Sequence, residues 1–390
     1  MTGSSFGCRL QSYLKSLALL LALAGCAVPP KPPVAPPAAP TPVLTPVPWS
    51  AVEGWETNDA AGAWPALLAS CRSLARQPAW KAACEAAARE TPADDAAARA
   101  FFQRWFTPHR LSSSDGSDTG LITGYYEPLL LGSRNRSERF RHPVYGVPED
   151  LLTIDLGSVY PELRSYRLRG RLVGNRVLPY YSRAEIEAGN APLAGQVIAW
   201  VDDPVALFFL HIQGSGRILL DTGETVRVGY ADQNGHPYVS VGKKLVEWGK
   251  LTPEQASMQG IRRWGEQHPD RLPGLLAANP SYVFFRELPP PPAQGPDGPP
   301  GALGVPLTAG RSLAVDPRSV PLGAPVFLAT TWPNREAPLR RLMLAQDTGG
   351  AIKGIVRADF FWGFGEEAGR LAGAMRQTGR MWVLLPKNGS

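Results

Sequence analysis

Three aspartates near the end of the chain have the residue type and setting for proton chemistry: Asp316 in AVDPRSVPLG, Asp347 in LAQDTGGAIKG and Asp359 in VRADFFWGFG. A carboxyl group can give a proton to a leaving oxygen or take one from a hydroxyl when its surroundings bring its pKa near the working pH. Asp347 and Asp359 each follow a short apolar run and precede glycine or aromatic residues, which predicts two carboxylates emerging at strand ends beside flexible backbone. Together they read as a cleft pair. Asp316, followed by Pro317, reads first as a turn or strand-end cap.

Other chemistries lack their residues. The five histidines, His109, His142, His211, His236 and His268, have no i,i+4 spacing and form no HExxH pattern, and no calcium-loop pattern is present. No metal site is expected. GxSxG is absent, and the Gly-Ser-Gly of HIQGSGR (residues 211–217) lacks the third glycine of a dinucleotide loop, so it reads as a strand turn open to close approach by a substrate. Basic residues outnumber acidic ones by 40 to 34, but their longest runs are the pairs Arg262-Arg263 and Arg340-Arg341, too dispersed for a nucleic-acid surface.

Aromatic residues point to the substrate class. Tyr125, Tyr126, Trp248, Trp264, Phe360, Phe361, Trp362 and Trp382 offer flat faces on which CH-rich sugar rings stack. Most belong to a core. Trp362, three residues beyond Asp359, is the first candidate for a sugar platform.

These residues need strands and turns to position them. Forty prolines and forty glycines among 390 residues interrupt helices and argue for a mainly β protein with peripheral helices. Residues 59–106 read as helices, one opened by Thr91-Pro92 with Asp94 and carrying Ala98, Phe101, Phe102 and Trp105 on one face. From Gly120 the runs LITGYYEPLLLG, GQVIAWVDDP, ALFFLHIQGSGRILL and ETVRVGY read as strands. A second helical patch spans residues 240–277, with a capping-box-like start at Thr252-Pro253 and Gln255, and a strand follows at 281–286. The segment LPPPPAQGPDGPPG (288–301) reads as a surface crossing between packed units. Beyond it SLAVD, PVFLAT, RLMLAQD and RMWVLLP read as strands, with one amphipathic helix near 366–377.

The amino-terminal segment reads as an address. Arg9 and Lys15 precede the apolar residues 16–23, too short a run to span a bilayer, which end in Leu-Ala-Gly-Cys at Cys26. This resembles a bacterial lipoprotein box, with residues 1–25 removed and Cys26 lipidated. Ala27, where an aspartate would retain a lipoprotein in the inner membrane, predicts the periplasmic face of the outer membrane. Ten prolines between Pro29 and Pro48 predict a linker over residues 26–50. Cys71 and Cys84 then remain as a candidate disulfide, with two buried free thiols as the alternative.

The motifs TGYYEP (123–128), HIQGSGR (211–217), VGYADQNGHPY (228–238), NPSYVFF (279–285), AVDPRSVPLG (314–323) and DTGGAIKG through ADFFWGFG (347–365) together resemble the membrane-bound lytic murein transglycosylase A family and its three-aspartate "3D" segment. The likeness runs in order and spacing from about 120 to 386. It implies a double-psi β-barrel catalytic domain built from 51–127 and 288–390, a smaller β-rich substrate-binding domain inserted at 128–287, and a groove between them. It also implies cleavage of the MurNAc–GlcNAc β-1,4 bond of peptidoglycan, leaving a 1,6-anhydro-MurNAc end, without metal or organic cofactor. Peptidoglycan strands and the membrane are the partners this implies, with cell-wall synthesis or division proteins as further ones.

By the same resemblance Asp359 is the acid/base and Asp347 its ionised support. Thr123, Tyr125, Gln213, Asp316, Thr348 and Trp362 are candidate substrate contacts. Arg357 departs from the pattern: pointing inward it would lower the pKa of Asp359, so it is expected to face solvent. Two other readings use the same residues. Asp347-Thr348-Gly349 is also the triplet of aspartic proteases, whose second copy would have to be Asp221-Thr222-Gly223, and a barrel of this kind could bind wall polysaccharide without cleaving it.

Overall fold

The computed structural model describes residues 40–387 apart from 167, 292 and 294; the expected signal peptide and Cys26 lie outside the described residues. Strands β1 (Pro42–Pro46), β2 (Phe106–Ser113) and β3 (Gly120–Glu127) come first, and helices α1 (Trp64–Leu74), α2 (Pro78–Arg89) and α3 (Asp95–Trp105) lie between β1 and β2. The middle of the chain supplies β4 (Leu129–Ser133), β5 (His142–Tyr145), β6 (Leu152–Thr153), β7 (Arg169–Val173), β8 (Arg176–Pro179), β9 (Val197–Val201), β10 (Ser215–Leu220), β11 (Thr225–Gln233) and β12 (Val283–Leu288). Helices α4 (Arg183–Glu187), α5 (Pro204–Gln213), α6 (Val241–Glu247), α7 (Met258–Gln267) and α8 (Leu272–Ala277) are set among them. The chain closes with β13 (Ser312–Val315), β14 (Pro325–Thr331), β15 (Pro338–Asp347), β16 (Ala358–Phe364), helix α9 (Gly365–Ala374) and β17 (Arg376–Pro386).

Strands β17, β14, β15, β13, β16 and β3 pair in that order, and β3 pairs again with β17, so six strands close on themselves. Closure removes the free edges. The parallel pairs β13–β15 and β3–β16 sit among antiparallel ones, as in a double-psi barrel. Its interior is filled by Leu313, Val326, Met343, Phe360, Met381 and Val383, while Phe327 on the outer face meets Trp55, which lies ahead of α1 in a cluster with Trp64 of α1 and Phe101 and Phe102 of α3. Cys71 on α1 and Cys84 on α2 are disulfide-bonded and buried in that cluster.

Strands β12, β11, β10, β4, β9 and β5 form a second sheet around Val144, Val201, Ile218, Val228 and Phe285. The chain passes from barrel to sheet at Pro128, which breaks the run LITGYYEPLLLG into β3 and β4. At that crossing the fully buried Glu127 accepts from Arg217 Nε at 2.9 Å. Among the described residues no helix is long and apolar enough to cross a membrane.

Four expectations are corrected. The linker read to residue 50 ends earlier, because Pro42–Pro46 pairs antiparallel with β2 at the open end of the sheet, where a proline's missing N–H costs no ladder bond. Helix α3 is capped by Asp94, whose side chain accepts from the Ala97 amide at 2.8 Å, and not by Thr91. Thr252 and Gln255 do close a reciprocal box, yet α7 starts only at Met258 behind Ser257, which caps the Gly260 amide.

The fourth concerns the apolar run before HIQGSGR, which is the helix α5 and not a strand. Asp203 accepts from the amides of Val205 and Ala206, and Pro204 takes the first turn, where its missing N–H is harmless. Its period is hidden because Leu207 and Leu210 pack on the second sheet while Phe208 packs on α6–α8, leaving few polar positions. Gly214, at φ +79°, ends the helix, so Gly-Ser-Gly is a helix terminus leading into β10. A Cβ on Gly216 would lie 2.5 Å from Leu210 Cδ1, so this glycine admits close packing of α5 and β10.

Candidate active site

Strand β16 positions the acid. Residues alternate across a strand, so Phe360 points into the barrel core while Asp359 and Phe361 face the other way. In register, Asp359 lies opposite Thr123 of parallel β3 on one side and Ala314 of antiparallel β13 on the other. Asp347, the last residue of β15, is paired with the same Ala314 from β13's far side. Two strand spacings put the two aspartate backbones on the order of 10 Å apart, with only an alanine between them. Tyr125, Phe361, Leu307, Ile352 and Ala314 form a small apolar cluster against the pair.

The two carboxylates are held differently. Asp359 Oδ1 accepts from Thr123 Oγ1 at 2.5 Å, and Oδ2 has no partner among the described residues and is not sealed from solvent. Burial pushes its carboxyl up to about 6, with the Asp347 charge adding to the rise while the Thr123 hydrogen bond and the Arg357 charge oppose it. Asp347 Oδ2 accepts from the Tyr125 hydroxyl at 3.0 Å and Oδ1 from the Ala302 amide at 2.9 Å. Burial also pushes Asp347 up, while the amides of Thr348 and Ala302 and the Tyr125 hydroxyl favour its anion. Tyr125 in turn is driven well above its usual range by burial and the two aspartates, so it stays a neutral donor.

The structure therefore brings Thr123, Tyr125, Asp347, Thr348 and Asp359 together. Thr123 and Tyr125 spend their hydroxyls on the aspartates, and the buried Tyr125 ring packs on Phe361 at 5.1 Å between centroids, so neither is free as a sugar platform. Gln213 ends α5, its Oε1 accepting from the Tyr126 amide at 3.1 Å, which ties β3 to the inserted lobe.

Two candidates fall outside the site. Trp362 shares the face of Phe360, with ring centroids 4.4 Å apart, so alternation points it away from Asp359. Asp316 is buried and saturated: it accepts from the Arg318 guanidinium at 3.0 and 2.7 Å, the Arg318 amide at 3.2 Å and the Gly354 amide at 3.0 Å. It anchors the loop between β15 and β16.

Arg357 is not turned to solvent. It is half-buried, and its Nη2 donates to Thr123 Oγ1 at 2.9 Å, because the carbonyls of Leu121 and Ala358 and the nearby Asp359 charge give the guanidinium partners on the inside. Ala302 was invisible to sequence reasoning. It follows the proline-rich crossing, and backbone amides carry no residue signature.

Two family models match the chain, the MltA specific insert domain over residues 121–286 and the 3D domain over residues 311–385. Membrane-bound lytic murein transglycosylase A of Escherichia coli strain K12 is 33% identical over 288 residues, covering 72% of this chain and 70% of that protein. The chain belongs to the membrane-bound lytic murein transglycosylase A family. Among solved members, MltA from Neisseria gonorrhoeae is 41% identical with a TM-score of 0.79, covering 90% of this chain and 95% of that one. MltA of Escherichia coli with bound chitohexaose is 28% identical with a TM-score of 0.64, covering 91% and 94%. This lytic transglycosylase thus carries the aspartate pair on the 3D part of its barrel, while β3, from the segment matched by the insert model, supplies Thr123 and Tyr125.

Proposed function

We propose that this transglycosylase cleaves the MurNAc–GlcNAc β-1,4 bond of peptidoglycan with Asp359 as both acid and base, leaving a 1,6-anhydro-MurNAc end. The observation that carries this reading is a carboxyl pushed up to about 6 whose Oδ2 has no partner among the described residues. Ordinary glycosidases need a second carboxylate to activate water or to attack the sugar. Here the C6 hydroxyl of the same sugar is the nucleophile.

Protonated Asp359 gives its proton to the bridging oxygen as the C1–O bond breaks. The carboxylate so formed takes the proton of the C6 hydroxyl as the C6–O–C1 bond forms, which restores the acid without adding water. Asp347, favoured as an anion by three donors, offsets the positive charge that develops at C1. The chitohexaose bound by the Escherichia coli relative supports a glycan-strand substrate. Cys26 as a lipid anchor, with the proline-rich residues after it as a tether, places the enzyme on the periplasmic face of the outer membrane.

Digestion of purified sacculi followed by mass spectrometry tests the reaction. Anhydro-muropeptides, one water lighter than hydrolytic products, are expected. Reducing ends would mean a hydrolase, and no release would mean a wall binder. The protease reading loses its second triplet, because Asp221 lies in the turn between β10 and β11 of the second sheet and not on a barrel strand.

A further inference from the structure

Arg357 brings a cation into this site, and the proton cycle above gives it no task. Its Nη1 donates to the carbonyls of Leu121 at 3.4 Å and Ala358 at 2.5 Å, pinning the guanidinium across β3 and β16, and Nη2 donates to Thr123 Oγ1 at 2.9 Å. A guanidinium has no acceptor. The Thr123 oxygen therefore receives from Arg357, and its own hydrogen is directed to Asp359 Oδ1, the acceptor the structure gives it. The donation runs one way, from Arg357 through Thr123 to Oδ1. An oxygen already accepting this hydrogen is the poorer seat for the acid proton, which leaves Oδ2 to carry it.

We propose that Arg357 is a positioning residue that acts through Thr123 to confine the transferable proton of Asp359 to Oδ2 and to stabilise the carboxylate left when that proton departs. The inference rests on Asp359 being the acid/base. In the first half of the cycle the proton leaves Oδ2 for the bridging oxygen while the Thr123 hydrogen stays on threonine. In the second half Oδ2 recovers a proton from the C6 hydroxyl. The groups facing Asp359 are Thr123 and Tyr125 from β3, Asp347 from β15 and Arg357 from just ahead of its own strand, while β13 presents the uncharged Ala314. Arg357 and Thr123 favour the anion; burial and Asp347 favour the acid.

The test is the pH dependence of kcat and KM on glycan strands for the full-length enzyme and four variants. Arg357→Gln is expected to move the alkaline limb of kcat to higher pH by about one unit, the size of effect a nearby opposite charge exerts. It is also expected to lower kcat on the plateau with KM little changed. Thr123→Val should reproduce both effects and Thr123→Ser should reverse them. Arg357→Lys, which keeps the charge, should hold the limb near its wild-type position. An unmoved limb in Arg357→Gln, or wild-type kcat in Thr123→Val, overturns the proposal. A lowered melting temperature with an unmoved limb means that Arg357 only ties β3 to β16, and overturns it equally. Turnover surviving in Asp359→Asn would instead sink the acid/base reading, so the two failures are told apart.

Discussion

Asp316 and Asp359 lie at the same end of two neighbouring barrel strands, since Val315 at the end of β13 pairs with Ala358 at the start of β16. Their chemistry is opposite. Asp316 is 2% exposed and takes four donors from Arg318 and Gly354, which hold its carboxyl far below the usual carboxylate range. Asp359 takes one side-chain donor, has no partner on its other oxygen among the described residues, and is pushed up to about 6. Burial raises the pKa of both. The number of donors decides which carboxylate is a structural anion and which can carry a proton.

The strongest way to break this contrast is to exchange the charge for an amide at each site. Asp359→Asn should bind glycan and lose turnover by about three orders of magnitude, within the range that general acid–base groups supply. Asp316→Asn should keep turnover per folded molecule. Loss of chemistry in a folded Asp316→Asn would merge the two roles.

Next in size is stability. Asp316→Ala leaves the Gly354 amide and the Arg318 fork without their acceptor and should cost about 2 kcal/mol in denaturant unfolding. The cost stays at that level because the Arg318 side chain is 73% exposed, and the charge pair is therefore screened.

The contrast sharpens when melting temperature is followed against pH, because the two groups have opposite signs. The folded pKa of Asp359, about 6, lies above its unfolded value of 3.8, so its contribution is present at low pH and lost as pH rises through about 6. Asp359→Asn should therefore gain stability relative to wild type from about pH 4 to 6 and level off above. Asp316 is depressed, so its contribution is present above the unfolded value and lost as pH falls below about 3.9. Asp316→Asn should be less stable than wild type at neutral pH, with the gap closing in acid.

The smallest effect is expected at Trp362. Its ring packs with Phe360 and Trp332 on the face away from Asp359, so Trp362→Phe should cost about 1 kcal/mol in stability with glycan affinity unchanged. A selective loss of affinity would return Trp362 to the substrate path.

The positions of most strands from Gly120 onward, and the aspartates at the end of β15 and before Phe360, were legible from apolar runs punctuated by glycine, proline and aspartate, whereas the strand β2, which follows the helices directly, was not. The α5 run was not, since a helix buried on several sides has no polar stripe to show its period. Nor was the direction of Arg357: whether a long cation turns in or out depends on carbonyls from β3, far away in sequence.

By itself the sequence determined which groups exist and which neighbours each strand carries: Asp347 at one strand end, Asp359 between alanine and phenylalanine, and motifs enough to name a family. Only the tertiary structure decided that Thr123 and Arg357 meet at Asp359, that Tyr125 and the Ala302 amide meet at Asp347, and that Trp362 faces the other way. Composition and local order set propensities one segment at a time. The pKa of a carboxyl depends on donors and charges within a few ångströms, and in a closed barrel those come from residues hundreds of positions apart.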